Sequence, residues 1–201
     1  MQILWIITFT ATLIWSAINP NDPFTWFLEV LPALLGAIIL AITWKKHRLT
    51  PLLYGLILIH CIILMVGGHY TYAEVPLFDW IADGLGWTRN NYDKLGHFAQ
   101  GFVPAIITRE ILLRVRALNG RVWLNLFTLS VCLAFSAFYE LIEWWVAVFT
   151  GAAADAFLGT QGYIWDTQSD MFFALIGACA ALLCLSRWHD RQLQQINIPT
   201  L

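Results

Sequence analysis

Three short runs concentrate the side chains of this sequence that could do chemistry. They are Asp93-Lys94-Leu95-Gly96-His97-Phe98, Tyr139-Glu140-Leu141-Ile142-Glu143-Trp144 and Asp166-Thr167-Gln168-Ser169-Asp170. All three lie in or beside strongly apolar stretches. A charged side chain in hydrocarbon costs at least about 2.5–3.5 kcal/mol, so such groups usually face one another or a water-filled cavity. One chemistry that fits is acid–base work on a lipid-linked substrate by His97 with Glu140, Glu143 and Asp170. A second is a divalent metal held by His97, Glu140, Glu143, Asp166 and Asp170. One imidazole among several carboxylates leans toward Mn, Mg, Ca or iron, whereas structural zinc prefers Cys and His. The third reading is structural: the acids pair with Lys94 or His97 and only lock helix packing.

Helical spacing brings these residues onto common faces. Asp93, His97 and Gln100 stand at i, i+4 and i+7, and His97 is about 6 Å along the axis from Asp93 at 1.5 Å per residue. Glu140 and Glu143 share a face at i, i+3, and Asp166 and Asp170 do so at i, i+4. Glu29 is a further acid near the start of its own helix. Asp166 also suits a helix N-terminus, where a carboxylate complements the dipole. His69, Tyr70, Lys94, Gln100 and Gln161 are candidate substrate contacts, with Tyr163 beside Gln161 at the mouth. The glycines of Gly67-Gly68-His69-Tyr70 equally suit tight turns. His60 is a candidate deeper member, while His47 and His189 sit in basic segments and need no function.

The elements that position these groups follow from composition. The chain has 201 residues, of which 59% are hydrophobic and 12% charged, and its mean hydropathy is +0.67. A soluble domain carries roughly 25% charged residues, so this is an integral membrane protein, read as one domain over 1–201. Apolar stretches of about 17–25 residues span a bilayer. They predict an all-α membrane protein with six transmembrane helices near 2–18, 24–44, 50–68, 95–115, 123–149 and 165–187. The prolines of Asn19-Pro20-Asn21-Asp22-Pro23 end the first helix in a turn. A short interfacial helix is expected in the external loop 69–94, because Phe78, Ile81 and Leu85 recur at helical spacing away from Asp79 and Asp83. Cys61, Cys132, Cys179 and Cys184 read as small buried hydrophobes.

Basic residues set the orientation. Lys45, Lys46 and Arg48 follow the second helix, Arg114, Arg116 and Arg121 separate the fourth and fifth, and Arg187 and Arg191 end the sixth. Only Arg89 and Lys94 lie on the other side, so both termini face the cytoplasm and loops 69–94 and 150–164 face outward. Tryptophans cluster at both predicted boundaries as an aromatic belt. No basic, aromatic-interleaved patch suggests nucleic acid; the expected partner is membrane lipid, and nothing fixes an oligomeric state.

Together these runs resemble the YjdF-like family of bacterial inner-membrane proteins, from the second helix to the sixth. The resemblance rests on Gly67-Gly68-His69-Tyr70-Thr71-Tyr72, the 92–98 run, Tyr139-Glu140-Leu141-Ile142-Glu143-Trp144 and the 159–170 run. It implies a multi-pass inner-membrane location and supplies no reaction. More remotely, Asp93-Lys94-x-x-His97-Phe98, Glu140 and Asp166-x3-Asp170 with Gly177 look like the pattern of the VanZ-like membrane proteins. The chain lacks the Arg and Asn expected around the last helix of that pattern.

The sequence therefore leads to an acidic, histidine-containing pocket open to the external side, acting on or binding lipid or lipid-linked envelope material. The contrasting reading is a small proton- or cation-coupled transporter. Such a protein needs a polar inner pathway, and only Arg109 and Glu110 interrupt the inner half, where they can pair or snorkel.

Overall fold

The computed structural model describes residues 2–151, 163–198 and 200. Among these residues the chain is entirely helical, with α1 Gln2–Ala17, α2 Pro23–Thr43, α3 Pro51–Tyr70, α4 Pro76–Leu85, α5 Tyr92–Arg114, α6 Arg121–Thr150 and α7 Asp166–Gln195. Four of them, α2, α3, α6 and α7, are long and apolar enough to cross a membrane. The α1 helix is apolar but has 16 residues. The 23-residue α5 carries Asp93, Lys94, Arg109, Glu110 and Arg114.

Local chemistry sets the helix starts. Proline stands at the beginning of α2, α3 and α4, where its missing N–H has no helical partner to lose. The Asp22 carboxylate caps α2 by accepting from Thr25 N at 2.6 Å. The α4 helix ends at Gly86, whose φ of +67° needs no side chain in its way. It is the short surface helix expected within 69–94: Ala82 is buried, Phe78 and Ile81 are half-buried, and Asp79 and Asp83 are exposed.

Several helices outrun their expected bounds, α3 and α7 with consequences for the site. The α3 helix continues through Tyr70, so Gly67 and Gly68 are helical residues and not turn formers. Both lie where backbones or rings come close. A Cβ on Gly68 would meet Glu29 Cβ and Val30 Cγ2 of α2, each at 3.2 Å. The α7 helix runs on to Gln195, its last turns burying His189 and Leu193 while Arg187, Trp188, Arg191, Gln194 and Gln195 stay exposed.

The α5 helix is the centre of the bundle. It packs on α7 most extensively and also on α3 and α6, while α2 and α1 pack on α3. Glycines allow the α5–α7 approach. A Cβ on Gly101 would collide with the Ala174 carbonyl, and one on Gly177 would collide with the Phe98 carbonyl. Small residues at crossings are how helices gain contact in lipid, where no hydrophobic force drives association. By contrast, α2 and α6 do not pack along their length, and a groove lies between them.

His189, expected to need no role, is fully buried beside Glu110 where α7 meets α5. Arg109 donates to His189 Nδ1 at 2.9 Å, so the imidazole carries its proton on Nε2 and donates it to Glu110 Oε2 at 2.8 Å. Glu110 also accepts from Thr50 Oγ1 at 2.9 Å and from Arg114 Nε at 2.9 Å, and Arg109 reaches Asp190 at 2.6 Å. Arg109 and Glu110 thus both pair with α7, and Glu110 also ties the start of α3 to α5.

Candidate functional site

At the opposite end of α5 a ladder of ions joins α5 to α7. Lys94 Nζ lies 2.7 Å from Asp166 Oδ1, 2.7 Å from Asp170 Oδ1 and 3.3 Å from Asp93 Oδ2. Arg89 reaches Asp93 at 2.5 Å and Asp166 at 2.8 Å. The Tyr163 ring covers both cations, 5.5 Å from the Arg89 guanidinium carbon and 5.6 Å from Lys94 Nζ. This accounts for Asp166 and Lys94: each is buried and saturated by opposite charge, and neither lines the groove.

His97 stands one turn further along α5, between α6 and α7. Its Nδ1 is 3.9 Å from Glu140 Oε1, and its Nε2 is 3.7 Å from Asp170 Oδ2. Gln100 Oε1 is 3.1 Å from Nδ1. One ligand atom each from His97, Glu140 and Asp170 lie within 4.8 Å of one another, and a second such group joins Asp93, Asp166 and Asp170. Glu140 Oε1 is buried and has no hydrogen-bond partner among the described residues. Such an orphaned carboxylate oxygen is costly and needs an explanation.

Glu143, expected with these ligands, lines the groove but belongs to neither group. Glu29 joins the same wall, accepting from Tyr139 Oη at 3.3 Å. His69 and Tyr70 lie elsewhere, away from the groove lining. The His69 ring donates to the Ser16 carbonyl at 3.0 Å, lies tilted against Trp15 and meets Tyr70 edge-on, tying α3 to α1. Gln161 lies outside the described residues, as does most of loop 150–164.

Tyr72 is a member of the site that the sequence reading left inside a turn. Thr71 and Tyr72 both take left-handed backbone, with φ of +57° and +55°, which folds the chain back on α3. The Tyr72 ring then fills a slot made by two glycines: a Cβ on either Gly67 or Gly96 would strike it. Burial pushes the Tyr72 phenol well above its ordinary range, with Glu29 adding to the effect. It remains a neutral donor at the groove. Arg89 was missed as well, since a loop arginine has no helical spacing to betray its partners.

The groove has a volume of about 800 Å³ and follows α5 from Asp93 to Leu112. At 1.5 Å per residue that is about 28 Å, close to the roughly 30 Å of bilayer hydrocarbon. Its polar groups gather at one end: Glu29, Tyr72, Asp93, His97, Gln100, Tyr139, Glu143 and Asp170. Beyond them only His60 and Thr108 interrupt a lining of Leu31, Leu35, Ile107, Ile111, Val131 and Phe135 with similar residues. Leu35, Ile111, Phe135 and Phe138 on its walls are about half exposed, so it opens sideways. Pro32 and Pro104 both line it, and each leaves the carbonyl four residues earlier without its usual helical donor.

Comparison with known proteins points to a membrane protein. The chain is 51% identical over 194 residues, covering 96% of its length and 93% of the relative, to "Inner membrane protein YjdF" of Escherichia coli (strain K12). No solved structure matches the chain. The VanZ-like resemblance finds no support in these comparisons. Residues 1–191 match the family described as "Predicted membrane protein (DUF2238)", and the chain belongs to that family.

Proposed function

We propose that the protein is a multi-pass inner-membrane protein that holds a lipid or lipid-linked molecule in the groove between α2 and α6. In this reading α1, α2, α3, α5, α6 and α7 cross the bilayer as one integral domain, with both termini cytoplasmic. The basic residues between α2 and α3, between α5 and α6, and at the end of α7 support that orientation. The inner-membrane location rests on the name of the close relative.

The carrying observation is the groove's polarity gradient. A sideways-open trough almost as long as the hydrocarbon layer is thick, apolar for most of its length, suits an acyl or isoprenoid chain. The cluster around His97 at one end suits its head group. The same gradient weighs against an ion pathway, because the inner half of the groove is lined by apolar side chains and the charged groups there are tied into the Glu110–His189 junction. His97, Glu140, Glu143 and Asp170 are the residues that would act on a head group as acid, base or ligand.

The test is lipid retention. Protein delipidated in mild detergent and exposed to mixed inner-membrane lipids should keep a bound lipid in native mass spectra. Val131→Trp together with Leu35→Trp, which fill the trough but leave the polar end alone, should abolish it. Equal retention by the filled variant would sink the proposal.

A further inference from the structure

We propose that His97, Glu140 and Asp170 form a divalent-cation site at the polar end of the groove. The first argument is geometric. Gln100 presents its carbonyl oxygen to His97 Nδ1 at 3.1 Å, so Nδ1 carries the proton and Nε2 keeps its lone pair. That lone pair is 3.7 Å from Asp170 Oδ2. Two ligands about 2.1 Å from a common ion are at most about 4.2 Å apart, so this pair spans an ion with little rearrangement. A ring N–H donated to a neighbouring acceptor is also the usual arrangement behind a metal-bound imidazole.

The second argument is the orphaned oxygen. Glu140 Oε1 is buried, lies 3.9 Å from His97 Nδ1 and has no hydrogen-bond partner among the described residues, and a ligand atom of Glu140 lies within 4.8 Å of those of His97 and Asp170. Lys94 holds Asp170 by Oδ1 alone and leaves Oδ2 open. The neighbouring group of Asp93, Asp166 and Asp170 is a poorer candidate, since Arg89 and Lys94 already neutralise two of its three carboxylates. The one charge left there, with that of Glu140, is what a dication offsets. One imidazole and two carboxylates favour Mn²⁺, Mg²⁺ or Fe²⁺ over Zn²⁺.

The site lies where the proposed head group would sit, but it does not depend on that reading, and its test uses no lipid. Full-length protein is stripped with chelator in detergent, and Mn²⁺ uptake is followed by electron paramagnetic resonance and elemental analysis. The wild type should take up a single equivalent and melt at a higher temperature with Mn²⁺. His97→Gln and Glu140→Gln should lose both effects. Gln100→Ala should weaken uptake roughly 10–100-fold without abolishing it, as expected when an outer partner of a ligand is removed. In chelated protein Glu140→Gln should melt at or above wild type, because it removes a buried carboxylate whose Oε1 has no hydrogen-bond partner among the described residues. No uptake by folded wild type would overturn the proposal, as would unchanged uptake in His97→Gln and Glu140→Gln. A lower melting point for chelated Glu140→Gln would also overturn it, by marking Glu140 as a packing charge.

Discussion

Lys94 Nζ and Asp170 Oδ1 meet at 2.7 Å across the α5–α7 interface, with both side chains buried. One turn further along α7, the Ala174 carbonyl presses on Gly101 of α5. The ion ladder and the glycine contact therefore hold the same pair of helices, and their effects on stability can be separated by substitution.

Replacing Lys94 with Met keeps the stem and removes the charge. Asp170 then loses its lysine partner, and Asp166 keeps only Arg89. Stranding a buried carboxylate costs about 3–5 kcal/mol, so Lys94→Met should lower the melting temperature sharply. Adding Asp170→Asn to Lys94→Met should recover part of that loss. Thermal unfolding of the two purified variants in one detergent checks both statements, and no recovery in the double variant would contradict the pairing.

The glycine contacts make a contrasting prediction. Gly101→Ala and Gly177→Ala put a methyl group into a backbone carbonyl, and overpacking of this kind typically costs about 1–3 kcal/mol or more. Gly36 and Gly55 lie in α2 and α3 with nothing within 4 Å of an added Cβ. Alanine there should be neutral or stabilising by up to about 1 kcal/mol, from helix propensity. The four single variants, compared by yield of folded protein and melting temperature, should fall into these two groups.

These two sets of residues also mark what the sequence could and could not convey. Runs of apolar residues, with the Asn19–Pro23 turn, placed most helix ends to within a few residues because hydropathy and proline geometry are local properties, whereas the polar end of α7 lay eight residues beyond its apolar run. The i, i+4 spacing of Asp93 and His97 and of Asp166 and Asp170 gave their common faces in the same way. Which acid meets which cation depends on how α5 and α7 cross, and nothing local encodes that. Lys94 and Asp166 accordingly looked like contacts for a ligand and are neutralised within the protein. Tyr72 was hidden for a different reason. Two left-handed residues carry it back into a slot between glycines on two separate helices. His189 looked like one more residue of a basic tail, and only the extension of α7 onto α5 buries it.

The Glu110–His189 junction should behave as a structural joint. Glu110 is fully buried and accepts from Thr50, Arg114 and His189 at once. Glu110→Gln leaves Arg114 without its carboxylate and turns an amide N–H₂ toward donors, at a cost of about 3–5 kcal/mol. The expected result is a large fall in melting temperature and in folded yield. Mn²⁺ uptake by whatever protein remains folded should be unchanged, since the junction lies at the far end of α5 from His97. Loss of metal uptake at normal stability would show that the two ends are coupled.

The proposed orientation decides which leaflet the polar end of the groove meets, and it can be read in cells. Basic residues flank the α2–α3 and α5–α6 connections and the end of α7, and such residues favour the cytoplasmic side. A reporter fused after Leu201 should be active only when its module works in the cytoplasm. Gln100 lines the groove near its polar end. In a variant whose four native cysteines are replaced, Gln100→Cys should react with a membrane-impermeant thiol reagent added outside intact inner-membrane-bounded cells. A cysteine at Leu112, near the other end of the groove, should react only after the membrane is opened. Labelling of Leu112→Cys but not Gln100→Cys from outside would invert the topology and move the His97 cluster to the cytoplasmic leaflet.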